Sequence, residues 1–386
     1  MTLRFLTGGE SHGRALAVIV EGVPAGLEVG ADAIGTELAR RRLGFGRGPR
    51  QRFERDELLL LGGVRHGVTL GSPIVVEIPN LEWPKWEQEM SPEPGQTEHP
   101  LTAPRPGHAD LAGMQKYGFR DARNVLERAS ARETAARVAA GAVAKLLLRH
   151  LGIGIVSHVI QMGDARATAG RRPTIDDLDT VDASPLRCFD TDAEPAMVEA
   201  VKAAGREGDS LGGIVEVLAY GVPPGLGSHV HWDRRLDTLL GGALLSIQAV
   251  KGVEIGDAFD VAGRRGSAGH DPITWDAEAR DYRRESSLAG GIEGGISTGE
   301  VIVARAAMKP LATLNRPVMK TVDIETKEET VSFKERTDIT SVPAMGVVAE
   351  TMTALVLAGE ALRKFGGDTV DELVRNHRAY LESIKE

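Results

Sequence analysis

The chain has 386 residues, of which 42% are hydrophobic, and its formal net charge is −9. This apolar content is enough for a large core without disulfides. The lone cysteine, Cys188, cannot form an internal disulfide, and we interpret it as a small buried residue rather than a nucleophile. The negative charge argues against general affinity for nucleic acids or anionic membranes.

Neither secretion nor membrane insertion is predicted from the sequence. The first residues lack the basic region, apolar run and small-residue cleavage site of a signal peptide. The longest apolar stretch, residues 343–359, is interrupted by Glu350. We therefore expect a cytoplasmic protein in which residues 1–386 form a single domain.

In chain order, the predicted elements mix strands and long helices without a regular βαβ rhythm. Strand patterns cover residues 15–20, 68–78, 153–161, 214–220, 299–306 and 329–333. Helical patterns cover residues 32–43, 130–151, 233–250, 343–365 and 368–384, and Asp368 is the predicted N-cap of the last helix. This arrangement favours an α+β fold over a doubly wound parallel sheet.

Two strand–turn–helix segments resemble each other. Residues 15–20 are followed by a Pro–Gly turn at 22–26 and then by a helical pattern. Residues 214–220 are followed by a similar turn at 221–225 and by a second helical pattern. The similarity indicates either two related halves or a chance likeness between two common strand–turn signals.

The helix at residues 130–151 is predicted to lie at the centre of the fold. It is rich in alanine, stops at Gly152, and begins with Ser130 and Glu133 in the spacing of a capping box. Its alanines and Gly141 permit close approach of neighbouring elements. The N–H groups of its first turn also suit an anion, but simple capping explains the same pattern.

An arginine cluster follows the first predicted helix. Its members are Arg40, Arg41, Arg42, Arg47, Arg50, Arg52 and Arg55. The guanidinium group binds phosphate and carboxylate in a planar, bidentate geometry, and the glycines between these arginines allow close backbone approach. We interpret the cluster as a site for a small polyanion, and the alternative is a basic surface loop paired with nearby acids. Aromatic residues make up only 4% of the chain, so no stacking platform for nucleic acid is predicted.

Two histidines lie in segments that contain glycine: His12 near the start of the chain, and His108 at the end of a proline-rich stretch, residues 83–107. An imidazole titrates near neutral pH, so either histidine suits general acid catalysis, and each also fits a structural role. A long irregular stretch in a compact domain is often functional, and we predict mobile loops near residues 44–55 and 84–107. No histidines or cysteines show metal-ligand spacing.

Three segments of the C-terminal half are further candidates for ligand contact. They are the glycine-rich residues 290–295, the segment 309–313 that follows a strand, and residues 336–338. The sequence contains no Walker A or dinucleotide-binding fingerprint, so these segments alone identify no cofactor.

Taken together, the motifs resemble those of the chorismate synthase family, in the family's order along almost the whole chain. The motifs that carry the resemblance are Gly9-Glu10-Ser11-His12-Gly13, Arg40-Arg41-Arg42 with Gly46-Arg47-Gly48, Arg105-Pro106-Gly107-His108-Ala109-Asp110, Arg128-Ala129-Ser130-Ala131-Arg132-Glu133-Thr134, Gly291-Ile292-Glu293-Gly294-Gly295 and Lys309-Pro310. The resemblance implies a β-α-β sandwich with long helices between antiparallel sheets, two pseudo-related halves, and a homotetramer.

The implied activity is that of a lyase that converts 5-enolpyruvylshikimate 3-phosphate to chorismate and phosphate. The reaction is an anti 1,4-elimination, the last step of the shikimate pathway, which leads to the aromatic amino acids. It requires reduced FMN but makes no net redox change. The resemblance implies an external flavin reductase and leaves open NADPH, bound through Arg41 and Arg47, as a source of reducing equivalents.

The resemblance also implies roles for individual residues. His12 protonates the departing phosphate, His108 protonates or stays protonated beside the reduced flavin, and Asp338 influences flavin N5, which receives the substrate's C6 hydrogen. The implied substrate-binding residues are Arg41, Arg47, Arg50, Arg105, Ser130 and Arg132. The implied flavin contacts are Arg128, Ala129, Ser130, Gln248, Ala249, Gly294, Lys309, Pro310, Leu311, Ala312, Thr313 and Arg336. No metal is implied.

Two alternatives stay open from the sequence. One is a flavin-dependent oxidoreductase with a net redox change, which would consume NADPH stoichiometrically. The other is a nucleic-acid-binding protein that uses the arginine loop, for which binding to a duplex would depend steeply on salt.

Overall fold

Two antiparallel sheets form where apolar and polar side chains alternate along the chain. The structure, a computed structural model, describes residues 3–48, 56–97, 99–168, 170–278, 280–316, 318–333 and 337–385. Its strands are β1 (Arg4–Gly8), β2 (Ala15–Glu21), β3 (Leu59–Gly62), β4 (Val64–Arg65), β5 (Val68–Thr69), β6 (Ile74–Pro79), β7 (Gly154–Met162), β8 (Ala165–Arg166), β9 (Gly213–Tyr220), β10 (Val250–Ile255), β11 (Ile273–Asp276), β12 (Asp281–Arg284), β13 (Ile292–Glu293), β14 (Ile296–Ser297), β15 (Ile302–Met308), β16 (Lys320–Val322) and β17 (Glu329–Val331).

The larger sheets have the strand orders β1-β2-β6-β3 and β10-β15-β9-β7-β8. Neighbouring strands in both sheets pair antiparallel. In β2, Leu16 and Val18 are fully buried, whereas Ile19 on the opposite face is 42% exposed. One face of this sheet therefore covers the core and the other remains open, as antiparallel sheets permit.

Long helices occupy the space between the two sheets. The helices are α1 (Ala31–Arg41), α2 (Trp83–Trp86), α3 (Asp110–Tyr117), α4 (Arg123–Ala129), α5 (Thr134–Arg149), α6 (Leu178–Ala183), α7 (Glu194–Glu207), α8 (Leu236–Leu245), α9 (Ala258–Val261), α10 (Val342–Phe365) and α11 (Val370–Ser383). Helix α5 packs on β1, β2 and β6, helix α10 packs on β7, β9 and β15, and the two helices pack on each other. The predicted α+β fold, with antiparallel sheets and long helices, is confirmed.

The contact between α5 and α10 explains the small residues of α5. A Cβ atom at Gly141 would lie 2.2 Å from Cβ of Thr351 on α10, so only glycine allows this approach. The alanines from Ala135 to Ala144 are buried on the same helix. The prediction of a buried central helix is confirmed.

Among the described residues, only α10 is long and apolar enough to cross a membrane. The helix is largely buried between the two sheets, so its apolar composition is that of a core helix. Cys188 is also buried, and burial raises the pKa of its thiol to about 11, which agrees with a structural residue rather than a nucleophile.

Several predicted element bounds are wrong in detail. The predicted helix 233–250 divides into a 3₁₀ turn (Trp232–Arg234) and α8, and strand β10 begins where that helix was expected to end. The predicted strand 68–78 divides into β5 and β6, because the backbone bends at Gly71, which has a φ of +78°, and the two strands pair with different partners.

Two predicted helix caps also differ from the structure. Thr369, rather than Asp368, is the N-cap of α11, and its hydroxyl accepts a hydrogen bond from the backbone N–H of Glu372. Ser130 caps the 3₁₀ turn Ala131–Glu133 ahead of α5. The Glu133 carboxylate accepts from side chains elsewhere instead of completing a capping box.

Candidate functional site

A cavity of about 680 Å³ lies where the segments before α5 and α10 meet the segment that follows β1. Its lining includes most of the residues that the sequence predicts for a site. These are His12, Arg41, Arg47, Arg105, His108, Ala129, Ser130, Arg132, Gln248, Ala249, Lys309, Leu311, Ala312, Thr313 and Asp338. The fold thus gathers motifs that are far apart in sequence around one cavity.

Three other predicted site residues, within the part of the chain that the structure describes, do not line this cavity. Arg128 donates hydrogen bonds to the carbonyl oxygens of Thr7 and Gly9. Gly294 lies in the turn between β13 and β14. Pro310 does not line the cavity, although its two neighbours, Lys309 and Leu311, do. Arg50 and Arg336 fall outside the described residues.

His12 is held at one edge of the cavity by a buried carboxylate. Its Nδ1 lies 3.0 Å from Oε1 of Glu127, and its backbone N–H donates to Oε2 of the same residue at 2.9 Å. The ring of His12 stacks on Trp86, with 4.2 Å between the ring centroids, and Arg123 lies over the same indole. Burial raises the pKa of Glu127, but hydrogen bonds and charge from His12, with the charge of Arg123, hold it below its ordinary value.

His108 forms a second pair with a buried carboxylate, Asp110. The Nδ1 atom of His108 contacts Oδ1 of Asp110, and Arg105 donates from Nε to Oδ2 of Asp110 at 2.8 Å. Arg105 also donates to Thr313 and lies 3.1 Å from Nδ1 of His108. Burial alone would raise the pKa of Asp110, but hydrogen bonds from His108 and Arg105 hold it well below its usual range.

Two buried arginines share the carboxylate of Asp56. Arg132 contacts Oδ1 of Asp56 and donates to the side chain of Asn80 at 3.0 Å. Arg41 lies 3.5 Å from Oδ2 of Asp56 and donates to the hydroxyl of Thr134 at 2.9 Å. These contacts fix the orientation of both guanidinium groups at the cavity wall.

Arg47 is anchored to Asp338 across the cavity mouth. Nη1 of Arg47 lies 3.3 Å from Oδ2 of Asp338, and the backbone N–H of Gly48 donates to Oδ1 at 2.6 Å. The hydroxyl of Ser341 donates to Oδ2 as well. Burial lowers the pKa of the Arg47 guanidinium, and the charges of Asp338 and Asp56 oppose that shift. Asp338 therefore ties the arginine-rich segment to the start of α10.

Arg40, the first member of the arginine cluster, belongs to a different site. It donates to Glu350 at 2.7 Å and 3.0 Å, and Glu350 also accepts from Lys145 and Arg187. The complete buried charge network consists of Glu37, Arg40, Lys145, Asp182, Arg187 and Glu350. Successive helix residues point about 100° apart, so Arg40 faces the core while Arg41 faces the cavity.

Sequence analysis does not identify four residues that shape this site, namely Asp56, Trp86, Asp110 and Glu127. Asp110 follows His108 by two positions within one of the motifs that carry the family resemblance, so this short spacing is a signal in the sequence itself. Glu127 directly precedes another such motif, but it is 115 residues from His12 in sequence. Such a long-range pair leaves no local pattern in a single sequence.

The fold and the cavity define an enzyme that binds a small polyanion. Buried guanidinium groups suit phosphate and carboxylate, and histidines paired with carboxylates suit proton transfer. The lining also contains a group of apolar side chains, namely Leu126, Ile247, Met308, Leu311, Met345 and Val348.

Comparisons with known proteins identify the family. A family model described as chorismate synthase matches residues 3–362. Chorismate synthases from Salinispora tropica and Thermobifida fusca are 58% and 56% identical to the chain, and each alignment covers 99% of both proteins. A solved structure, titled "Crystal Structure of Chorismate Synthase", is 39% identical, has a TM-score of 0.79, and is matched over 100% of this chain and 99% of its own. The chain belongs to the chorismate synthase family.

Proposed function

We propose that this cavity is the active site in which the chain converts 5-enolpyruvylshikimate 3-phosphate to chorismate and phosphate. As a member of its family, the chain is a lyase of the shikimate pathway, which serves aromatic amino acid biosynthesis. The observation that carries the proposal is that His12 and His108 line one cavity with four arginines, of which Arg41, Arg105 and Arg132 are buried and Arg47 is half-buried. A trianionic substrate needs such cations, and a leaving phosphate needs an acid.

The residues of the cavity also fit reduced FMN. The volume of about 680 Å³ accommodates a flavin ring beside a small ring substrate, and the apolar lining suits the flat face of a flavin. Gln248 supports this fit, because its Oε1 is buried without a hydrogen-bond partner among the described residues while its Nε2 donates to Glu133. Gln248, Ala249 and the segment 309–313 would hold the flavin, and Ala129 and Ser130 would lie beside it. When bound, reduced FMN would supply the electron density that the elimination requires, with no net redox change.

In the proposed reaction, the protein orients the substrate and supplies a proton. Arg41, Arg47, Arg105 and Arg132 would hold the phosphate and the carboxylates, with Ser130 nearby. His12 gives its proton to the departing phosphate oxygen as the C3–O bond breaks. Much of the cavity wall is apolar, so these charged contacts are stronger there than in bulk water. Arg50, Arg128, Gly294, Pro310 and Arg336 stay predicted ligand contacts.

The arginine of the cavity mouth provides a test of substrate binding. In Arg47→Ala, we expect the substrate to bind more weakly by roughly 1.5–3 kcal/mol, because a buried hydrogen bond to a charged group is lost. Flavin affinity should change little. Calorimetric titration of each ligand measures the two effects, and Arg120→Ala, an exposed arginine on the surface, is the matched control. An equal loss of flavin affinity would contradict the assignment.

An anaerobic assay tests the proposed function as a whole. With a single charge of dithionite-reduced FMN, we expect many molecules of chorismate per flavin, and none with oxidised FMN. Absorbance follows the diene product and the flavin together. If each product molecule oxidises one flavin, the protein is a flavin-dependent oxidoreductase instead.

The nucleic-acid alternative is disfavoured, because Arg40, Arg41 and Arg47 point into the core or the cavity, where no duplex reaches.

We further infer a homotetramer, supplied with reduced flavin by an external reductase in the cytoplasm. The open face of the first sheet supports assembly, since it exposes four large apolar side chains, Leu6, Ile19, Leu59 and Leu61. NADPH at Arg41 and Arg47 stays an alternative source of electrons.

The related halves also stay a prediction. They are supported by β2 and β9, which are inner strands of the two sheets and each lead through a Pro–Gly turn to a helix. The single domain and a mobile loop near residues 84–107 are likewise proposed. The other predicted mobile loop, near residues 44–55, lies largely outside the described residues.

A further inference from the structure

The carboxylate of Glu127 contacts both the backbone N–H and the ring Nδ1 of His12. The Glu127 side chain is buried, with 2% of its surface exposed. Its Oε2 accepts from the backbone N–H of His12 at 2.9 Å, and its Oε1 accepts from Arg123 at 2.9 Å. Nδ1 of the His12 ring lies 3.0 Å and 3.1 Å from the two oxygens. Every oxygen of this carboxylate therefore faces a donor.

This geometry decides which nitrogen of His12 carries a proton. An ionised carboxylate accepts hydrogen bonds and donates none, so Nδ1 must carry its hydrogen toward Glu127. Nε2 is then the atom at which the ring takes up and releases the catalytic proton. Hydrogen bonds and charge from His12, with the charge of Arg123, hold the pKa of Glu127 below its ordinary value, so the carboxylate is the acceptor in this pair.

The indole of Trp86 restricts the ring in the remaining direction. The two ring planes are inclined by 27°, with 4.2 Å between centroids, so the imidazole is stacked rather than free to rotate. The guanidinium group of Arg123 lies 4.8 Å from the centroid of the same indole. Arg123 therefore contacts both Trp86 and Glu127, the two residues that hold the His12 ring. His12 is thus fixed both along its edge and across its face.

We propose that Glu127 is a positioning residue that holds His12 in the tautomer with hydrogen on Nδ1, with Trp86 fixing the ring plane. The inference rests on the proposed role of His12 as the acid. His108 and Asp110 form a similar pair, but Arg105 donates to Asp110 and lies 3.1 Å from His108 Nδ1. A change at Asp110 would therefore disturb Arg105, which lines the cavity. The arginine paired with Glu127 is Arg123, which is not part of that lining, so Glu127 is the cleaner residue to test.

Substitution by glutamine separates this role from simple space filling. The amide of Glu127→Gln must turn its NH₂ group toward His12 or Arg123, so a donor meets a donor. The arrangement is relieved when Nδ1 of His12 loses its hydrogen and accepts, which moves the ring hydrogen to Nε2. We expect kcat to fall about 10²-fold, while the dissociation constants of substrate and flavin stay close to those of the unaltered protein. Glu127→Asp, which keeps a carboxylate, should recover part of kcat.

Nitrogen NMR of ¹⁵N-histidine-labelled protein gives a readout that does not depend on turnover. The His12 resonances, assigned by their loss in His12→Ala, should show hydrogen on Nδ1 in the unaltered protein and on Nε2 in Glu127→Gln. The matched control is Glu254→Gln, which changes a carboxylate paired with Arg305 on the second sheet, away from the cavity. It should alter neither kcat nor the His12 resonances.

Two results would overturn the proposal. One is an unaltered protein whose His12 carries hydrogen on Nε2, an observation that requires no variant to fold. The other is a Glu127→Gln variant that keeps both its kcat and its tautomer. If the unaltered protein made no chorismate, the proposed function would fail, but the tautomer measurement would still decide the link between Glu127 and His12.

Discussion

Replacement of His12 by alanine is expected to lower turnover by about 10²–10⁴-fold, the usual contribution of a general acid. The effect should fall on kcat, because the phosphate would leave without a proton while the arginines and the apolar wall still bind both ligands. Steady-state assays with excess reduced FMN measure kcat, and equilibrium titrations measure the two dissociation constants. The expected pattern is a large fall in kcat with both affinities near those of the unaltered protein.

The matched control for this variant is His150→Ala. His150 is an exposed histidine at the end of α5, remote from the residues that line the cavity. Its variant should turn over normally and show that loss of a histidine alone does not impair the enzyme. Normal turnover in folded His12→Ala would remove His12 from the mechanism, and a parallel loss of flavin affinity would indicate a structural role instead.

Replacement of Glu350 by alanine is expected to be among the most destabilising single changes in the chain. Glu350 is fully buried and accepts hydrogen bonds from Arg40, Lys145 and Arg187, which would become uncompensated buried cations. Removing one partner of a buried ion pair costs about 3–5 kcal/mol, because the remaining charge is left without a partner in a medium of low polarity. Denaturant unfolding followed by circular dichroism measures the loss.

The difference in the free energy of unfolding between the unaltered protein and Glu350→Ala should also depend on pH, which provides a second check. Burial raises the pKa of Glu350, but the charges of Arg40, Lys145 and Arg187 hold it far below its ordinary value. A carboxyl whose pKa is lower in the folded state stabilises the fold fully above its unfolded pKa, about 4.3. That stabilisation is lost as the pH falls toward the lowered value. The difference between the unaltered protein and Glu350→Ala should therefore be constant near neutral pH and narrow in acid.

An exposed ion pair supplies the contrast for Glu350. Glu199 on α7 pairs with Lys202 in solvent, where water screens the charges. Glu199→Ala should leave the unfolding midpoint nearly unchanged. A small effect of Glu350→Ala, comparable to that of Glu199→Ala, would show that the buried network contributes little to stability.

Elements whose signal is local were predicted well. Helices α5 and α10 consist of strong helix formers with clear ends, so the sequence indicated both of them and the burial of α5. The predicted helix 233–250 failed at its C-terminal end because Val250 begins a strand through pairing with Met308, far away in the chain. Long-range pairing of that kind can override local propensity.

The motifs of the cavity were recognisable in the sequence because phosphate binding and proton transfer require particular side chains. Arginines, histidines and glycines with these spacings indicated a polyanion site, and the resemblance of several motifs in order indicated the family. Their partners were not recognisable. Asp56 meets Arg132 across 76 residues, and Glu127 meets His12 across 115, so neither pair leaves a local pattern.

The element pattern and the order of the motifs therefore predicted the class of fold, a polyanionic ligand and the family. Which partner each charged side chain meets was determined by the packing of segments that are distant in sequence. Arg40 and Arg41 are adjacent and chemically identical, yet one completes a buried charge network and the other lines the cavity. Their different roles arise because neighbouring positions on a helix point about 100° apart, and only the arrangement of sheets and helices around α1 determines what each direction meets.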